Sequence, residues 1–492
     1  MSPLHYNAPV RRITKWLLAA IASAFVLLLL VVVLFAVLAR VTLADLHPWH
    51  RISLKEEFHA GRAGAPVAFA EYLALEDRLF AELRGKVLDD PAKADTYILS
   101  RYNPSSVTAR LALETKHNRS YELAPSSPKG GVLLVHGLTD SPYSMRGIAE
   151  TFYAEGFHVV VLRLPGHGTI PAALCDVSWK DWYAAVVLAA RRASEAAGPG
   201  KPFLAGGYST GAPLVTLYAL RALEDPSLPR PERLYLVSAA IGVSKFAVLT
   251  NVLSGLSSIP YFEKSKWLDV FPEYDPYKFN SFPVNAANQI WALTRELQSE
   301  LAEAGEGGRA RSMPPITAFQ SLIDATILAS DVVKGLLMHL PREDSELVVF
   351  DVNRADRLQD LVSPRATADM SALRATSLPF RLTIVGNRSP DSIEVAAYSR
   401  AAGSSDVAAD DLPMSWPKGV LSLGHVALPF PMDDPVYGLT PLEDGGPKFQ
   451  LGAFSARGEA GAMVVPLDTL ARLRCNPFFE LVRTKIRATL NQ

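Results

Sequence analysis

The stretch P-F-L-A-G-G-Y-S-T-G, residues 202–211, decides how this chain is read. Residues 202–208 form a short apolar run of strand length, and residues 212–223 have helical character, so Ser209 stands where a strand turns into a helix. In that context G-x-S-x-G reads as a nucleophile elbow. Its glycines let the backbone turn tightly, and the turn pushes the serine hydroxyl out at the carboxyl edge of a sheet. The helix amino terminus adds free N–H groups and a positive dipole end where negative charge would develop. Pro213 falls in the first turn of that helix, where a proline is tolerated.

Similar apolar runs lie on both sides. GVLLV (131–135) ends at His136-Gly137, and FHVVVLRL (157–164) ends at Pro165-Gly166; RLYLVSA (233–239), PITAFQS (315–321) and ELVVF (346–350) follow the elbow. Runs of this length alternating with helical stretches indicate an α/β chain with a largely parallel central sheet and helices on both faces. The loop His136-Gly137-Leu138 follows its strand directly. Fixed backbone N–H groups are what an oxyanion needs, and the amides of Leu138 and Thr210 are the natural pair. His136 is read as a turn residue supporting that loop by hydrogen bonds.

The segment HGLTDSPYSMRGIAETFYAEGFHVVVLRLPGHG (136–168), followed by GYSTG (207–211), resembles the α/β-hydrolase superfamily, in particular its monoglyceride lipase and bacterial carboxylesterase branch. The likeness covers about residues 96–353 and resumes over 420–438. It implies the α/β-hydrolase fold with a helical cap insertion, a serine nucleophile, an acid after the seventh core strand and a histidine after the last. The matching acid is Asp324, just past the strand at 315–321, with Asp331, Asp351 and Asp356 as rivals. The matching histidine is His425, in Leu421-Ser422-Leu423-Gly424-His425; His339 sits in a helical stretch and His167 in a structural turn. The order Ser209, Asp324, His425 is the one this fold uses. The resemblance implies a lipase- or carboxylesterase-like serine hydrolase working through an acyl-enzyme. Amide cleavage, acyl transfer to an alcohol, and a catalytically silent binding protein on the same fold are the alternatives.

Composition narrows the field. The 492 residues are 49% hydrophobic, and 49 Lys and Arg balance 50 Asp and Glu, which leaves no basic excess for a nucleic-acid backbone. Two cysteines, Cys175 and Cys475, exclude a disulfide framework and a cysteine-built zinc site. No H-E-x-x-H, C-x-x-C or G-x-x-x-x-G-K-[ST] occurs, and no G-x-G-x-x-G follows a strand, so neither a metal nor a cofactor is expected.

Residues 16–39 contain no charge, a run long enough to cross a bilayer core of roughly 30 Å as a helix. Its length and the absence of an A-x-A exit favour an uncleaved anchor over a signal peptide. Arg11, Arg12 and Lys15 precede it, so the 1–15 tail is expected in the cytoplasm and the rest outside, in the periplasm of a Gram-negative cell. Residues 40–95 read as a stalk with an amphipathic helix (Val67, Phe69, Tyr72, Leu75, Leu79, Leu83), expected to pack on the hydrolase domain at 96–492. That domain carries two interruptions. The stretch 243–314, from Phe246 to Trp291 rich in aromatics, reads as the cap, and an apolar bias in the substrate follows from it; 354–420 is a second insertion, whose run 381–385 is able to extend the sheet. Asn118-Arg119-Ser120 and Asn387-Arg388-Ser389 fit the glycosylation triplet.

Overall fold

The apolar runs pair into one ten-stranded sheet. In the computed structural model, which describes residues 8–90, 93–242, 260–324, 329–355, 370–371, 373–374, 377–440, 449–452, 465–466 and 471–491, the strands are β1 (Tyr121–Leu123), β2 (Gly131–Val135), β3 (His158–Leu162), β4 (Phe203–Tyr208), β5 (Leu234–Val237), β6 (Ile316–Ser321), β7 (Glu346–Phe350), β8 (Arg381–Asn387), β9 (Glu394–Arg400) and β10 (Val407–Ser415). Their order is β1-β3-β2-β4-β5-β6-β7-β8-β9-β10. The seven from β3 to β8 run parallel, while β1, β9 and β10 pair antiparallel at the edges.

Successive side chains on a strand point to opposite faces, and that periodicity splits the interior into two cores. Leu133, Val135, Val160 and Leu162 face a layer built from α5 (Trp179–Ala197), α6 (Gly211–Ala222) and α7 (Val284–Glu306). Val132, Leu134, Val159 and Val161 face α4 (Arg146–Ala154) and the last helix, α8 (Phe479–Leu490). With helices on both faces the central strands are buried at every position, which is why they read as continuous apolar runs. A capping box fixes the start of α5: the Ser178 amide donates to Asp181 Oδ2 at 2.8 Å, and the Asp181 amide donates back to Ser178 Oγ.

Both interrupted stretches contribute to this scaffold. Within 243–314, residues 243–259 (Phe246 among them) and the side chains of Tyr261 and Phe262 lie outside the described residues. Its helical half, α7, lies against α6, where Arg221 pairs with Glu296 and Glu300, and Leu293, Leu297 and Leu301 complete the core; this part is layer, not cover. What remains for a cover is the irregular stretch 260–283, clipped by a short pairing of Trp267–Asp269 with Phe282–Pro283. Within 354–420, β8 continues the parallel sheet beside β7, and β9 and β10 follow as hairpin partners. Neither asparagine of the two triplets offers a free amide. Asn118 Nδ2 donates to the carbonyls of Ala112 and Pro276, and Asn387 Nδ2 to Asn353 and Ser392. Cys175 and Cys475 are unpaired, and burial pushes both thiols up to about 12, which keeps them protonated and inert.

At the amino-terminal end, α1 (Ala8–Thr42) is continuous, and residues 13–34 are long and apolar enough to cross a membrane. Lys264, in the 260–283 stretch, ties down the residues just after α1 through Leu43 O and Asp45, each at 3.0 Å. Residues beyond Thr42 pack on the sheet domain through α2 (Phe69–Leu83), whose Phe69, Tyr72, Leu79 and Leu83 are buried, and the short α3 (Val107–Glu114) precedes β1; Val67 lies before α2 and is exposed. The attachment is ionic at its centre. Arg163, fully buried at the end of β3, donates to Glu76 at 2.8 Å and to Glu57 at 3.0 and 3.3 Å. Burial opposes the arginine's charge, yet the two glutamates hold its pKa well above the usual value. Burial raises that of Glu76 despite the guanidinium beside it. Arg163→Met would strand two buried carboxylates and should cost about 3–5 kcal/mol. Thermal unfolding of the full chain in detergent reads this directly; an unchanged midpoint would contradict the role of the cluster.

Candidate active site

The turn between β4 and α6 forces Ser209 into the left-handed region, with φ at +52°, where a non-glycine residue is strained. Three backbone hydrogen bonds hold it there. The Ser209 amide donates to Val237 O at 2.9 Å, and its carbonyl accepts from Ala212 at 3.1 Å and Ala240 at 3.2 Å. A Cβ at Gly207 would overlap the Gly211 backbone, and one at Gly211 would overlap the Val135 carbonyl, so the helix start can press onto the strand ends only with glycine at both places.

Two other loops meet the serine. Asp324 lies just past β6, its side chain fully buried. His425 opens a short turn (His425–Ala427), reached after the chain returns from β10 across the carboxyl ends of the sheet. Residues at those ends pin the returning segment: Ser321 Oγ donates to Leu423 O at 2.6 Å, and Asn353 donates to Leu421 O from its backbone amide at 2.7 Å and to Val420 O from Nδ2 at 3.1 Å. The imidazole spans the other two groups, with Nδ1 2.9 Å from Asp324 Oδ2 and Nε2 3.0 Å from Ser209 Oγ. A carboxylate only accepts, so Nδ1 carries the proton and Nε2 presents its lone pair to the serine hydroxyl. The rivals sit elsewhere. Asp351 is bound by Arg354 at 3.0 Å, Asp331 packs against Gly242, His339 is exposed on its helical turn, and Asp356 lies outside the described residues.

The loop after β2 faces the same point. His136 is buried, its Nδ1 2.8 Å from Gly137 O while its Nε2 accepts from the Leu164 amide at 2.9 Å. Nδ1–H therefore donates to the Gly137 carbonyl, and in a trans peptide this turns the Leu138 N–H the opposite way. Burial keeps the His136 pKa well below its usual value, with His167 adding to the effect, so the ring stays neutral and the hydrogen-bond pattern fixed. His167 itself is pushed down to about 3 by burial and bonds Pro165 O at 3.0 Å. Neither the Leu138 nor the Thr210 amide donates to a turn, loop or cap partner among the described residues.

Three residues near the site went unread in the sequence. Gln320 Nε2 donates to Asp324 Oδ2 at 3.1 Å, steadying the carboxylate from within its own strand. Asp140 is buried beside Gly137 and Tyr208, held by Lys278 at 3.0 Å; burial raises its pKa against the pull of the lysine. The one sequence signal for Gln320 was a polar residue inside an otherwise buried strand; for Asp140 and Lys278 there was none, because they are far apart along the chain. A cavity of about 150 Å3 opens at Tyr208 and Val426, the chain neighbours of Ser209 and His425. Phe271, Phe279 and Phe430 form its apolar wall, and Lys278, Arg472 and Arg474 its cationic one. Among the described residues no group of three His, Cys, Asp or Glu is placed to hold a metal ion. Gly207→Ala should disturb the elbow: about 1–3 kcal/mol of stability lost to overpacking and a roughly 10²-fold slower reaction of Ser209 with a fluorophosphonate, as for about 1 Å of misplacement. A wild-type midpoint and labelling rate would contradict this geometry.

Parts of the chain are similar to known proteins. Residues 131–243 match the family model of the alpha/beta hydrolase fold. A thermostable monoacylglycerol lipase from Bacillus sp. (strain H-257) is 46% identical over 56 residues, a match spanning 11% of this chain and 22% of that enzyme's length. Among solved structures, a metagenome-derived lipolytic enzyme aligns with TM-score 0.39 at 20% identity, covering 53% of this chain and 98% of its own. The monoacylglycerol lipase of Paleococcus ferrophilus aligns with TM-score 0.35 at 17% identity, covering 47% and 88%. The strand order, the elbow between β4 and α6 and the family match across both give the chain the α/β-hydrolase fold, with its resemblance to the monoacylglycerol lipase and esterase branch of that superfamily.

Proposed function

We propose that this chain is a membrane-anchored serine hydrolase that cleaves carboxylic esters through an acyl-enzyme on Ser209. The reading rests on the imidazole of His425, within 3.0 Å of the serine hydroxyl on one side and 2.9 Å of a buried carboxylate on the other. In this mechanism Nε2 takes the hydroxyl proton as Oγ attacks the ester carbonyl carbon, and Asp324 holds the tautomer and stabilises the imidazolium. The oxyanion is received by the amides of Leu138 and Thr210, each such donor contributing about 2.7–4 kcal/mol to the transition state. As the tetrahedral species collapses, the carbon–oxygen bond to the leaving alcohol breaks and His425 hands that alcohol the proton. Water then repeats the cycle on the acyl-enzyme, releasing the acid and restoring Ser209.

The phenylalanine wall of the cavity favours a hydrophobic acyl group, and the Bacillus relative suggests a lipid ester such as a monoacylglycerol. Residues 16–39 serve as the anchor, with 1–15 in the cytoplasm, and 40–95 joins it to the hydrolase domain at 96–492 on the other side, which is the periplasm in a Gram-negative cell. Lys264 ties the anchor's exit to the same irregular segment that supplies Phe271 and Phe279, an arrangement that keeps the cavity close to lipid.

Ser209→Ala should abolish hydrolysis of p-nitrophenyl esters while leaving circular dichroism and the thermal midpoint close to wild type; full turnover in that variant would reject the assignment. Along a series of p-nitrophenyl esters, kcat/KM should rise by roughly fourfold for each methylene buried, on the order of 0.8 kcal/mol each, until the cavity is filled. Equal rates from acetate to palmitate would remove the hydrophobic acyl site.

A further inference from the structure

The β-turn at residues 97–100 carries Ile98 and Leu99 at its two central positions, closed by the Ser100 amide donating to Tyr97 O at 3.1 Å. Those positions ordinarily hold glycine, proline, asparagine, aspartate or serine. Here Ile98 is 82% exposed, and Tyr97 and Leu99 flank it at 56% and 39%. The backbone around this apolar tip is satisfied from within. Tyr97 O also accepts from Asn103 Nδ2 at 2.9 Å, Leu99 O from Thr108 Oγ1 at 2.6 Å, and Ser100 O from Ser106 Oγ at 2.5 Å. The Ser100 cap lies in the protein interior, where any carbonyl needs a partner. The caps on Tyr97 O and Leu99 O, beside the exposed tip, lower the cost of taking those carbonyls out of water.

Its position supplies the medium. His47, five residues beyond the end of α1 at Thr42, meets the Tyr97 ring edge-on at 6.4 Å. The same histidine stacks on Trp49 at 4.7 Å, which stacks on Tyr102 at 4.7 Å, so both sides of the turn are fastened to the segment leaving the apolar helix. We infer that the 97–100 turn is a second membrane contact, with Ile98 and Leu99 entering the boundary between headgroups and acyl chains beside the exit of α1 and Tyr97 lying at headgroup level. The inference rests on reading α1 as an uncleaved anchor. It adds a fixed orientation, since one helix alone leaves the domain free to swivel about its axis. The turn reaches the active-site cover directly: the Arg101 amide donates to Glu273 O at 2.8 Å, and its guanidinium lies 5.2 Å from the ring of Phe279, which lines the cavity.

The test uses the full chain in phosphatidylcholine vesicles, with Cys175 and Cys475 replaced by alanine and a single NBD label at Ile98→Cys. Companion labels go at Leu27→Cys, within α1, and Val407→Cys, on the exposed edge strand β10. Fluorophosphonate labelling of Ser209 checks each preparation for fold. The label at 98 should be quenched by lipids carrying a shallow nitroxide and reduced by dithionite several-fold more slowly than the label at 407. Dithionite access at 98 equal to that at 407, with 27 protected, overturns the inference and leaves the anchor standing. Protection at 98 without quenching by nitroxide lipids also overturns it, since a protein surface such as a second copy would then be the cover. Free dithionite access at 27 removes the anchor and this contact together, while the hydrolase reading stays with the serine assays.

Discussion

The hydrogen-bonded bridge from Asp324 through His425 to Ser209 joins three loops, with His425 lying 101 residues from Asp324 and 216 from Ser209 along the chain. It forms because the parallel strands β4 and β6 end at one edge of the sheet, and β10, antiparallel to β9, returns the chain to that same edge before His425. The elbow is the least forgiving of the three. Its serine keeps a strained backbone only because Val237, Ala240 and Ala212 hold both its amide and its carbonyl, and because glycine at 207 and 211 lets helix and strand touch. The histidine comes back through β8, β9 and β10, and Ser321 and Asn353 grip residues 420–423 just ahead of it.

A second line of contacts runs from the amino-terminal segment to the same edge. Glu57 and Glu76 hold Arg163; Arg163 also donates to the carbonyl of His167, and the next amide, that of Leu164, donates to His136. His136 in turn fixes the Gly137 carbonyl and so the direction of the Leu138 amide. Residues following the apolar helix are thus continuous, through buried polar contacts, with the loop that faces Ser209. A buried arginine between two buried glutamates is a poor source of net stability compared with an apolar core. Here it sets the register between two segments that packing alone would hold less specifically.

Much of the fold was legible in the sequence because the central strands are buried on both faces and announce themselves as unbroken apolar runs, within a residue or two of their observed ends. The elbow was legible because its chemistry is local: strand, glycine, serine, glycine, helix. Asp324 and His425 were legible only by their place in the chain order, since nothing in the residues around either one distinguishes it from Asp351 or His339. The roles of α7 and of β8–β10 were blurred for a different reason. Helical spacing does not say which neighbour a helix packs on, and edge strands such as β10, exposed along most of their length, lack the apolar signal. Asp140 and Arg163 act through partners distant in sequence, which no single-chain pattern reveals, whereas Gln320 bonds a residue only four positions on and showed only as a polar side chain in a buried strand.

The central claim is that the hydroxyl of Ser209 is activated by the imidazole and carboxylate gathered around it. Peptide mass spectrometry after brief treatment of the folded chain with a fluorophosphonate tests this most directly. One stoichiometric adduct is expected, on the peptide containing Ser209, and it should be lost when His425 is replaced by alanine. An adduct on another serine, or equal labelling of Ser209 in folded and denatured chains, would contradict it.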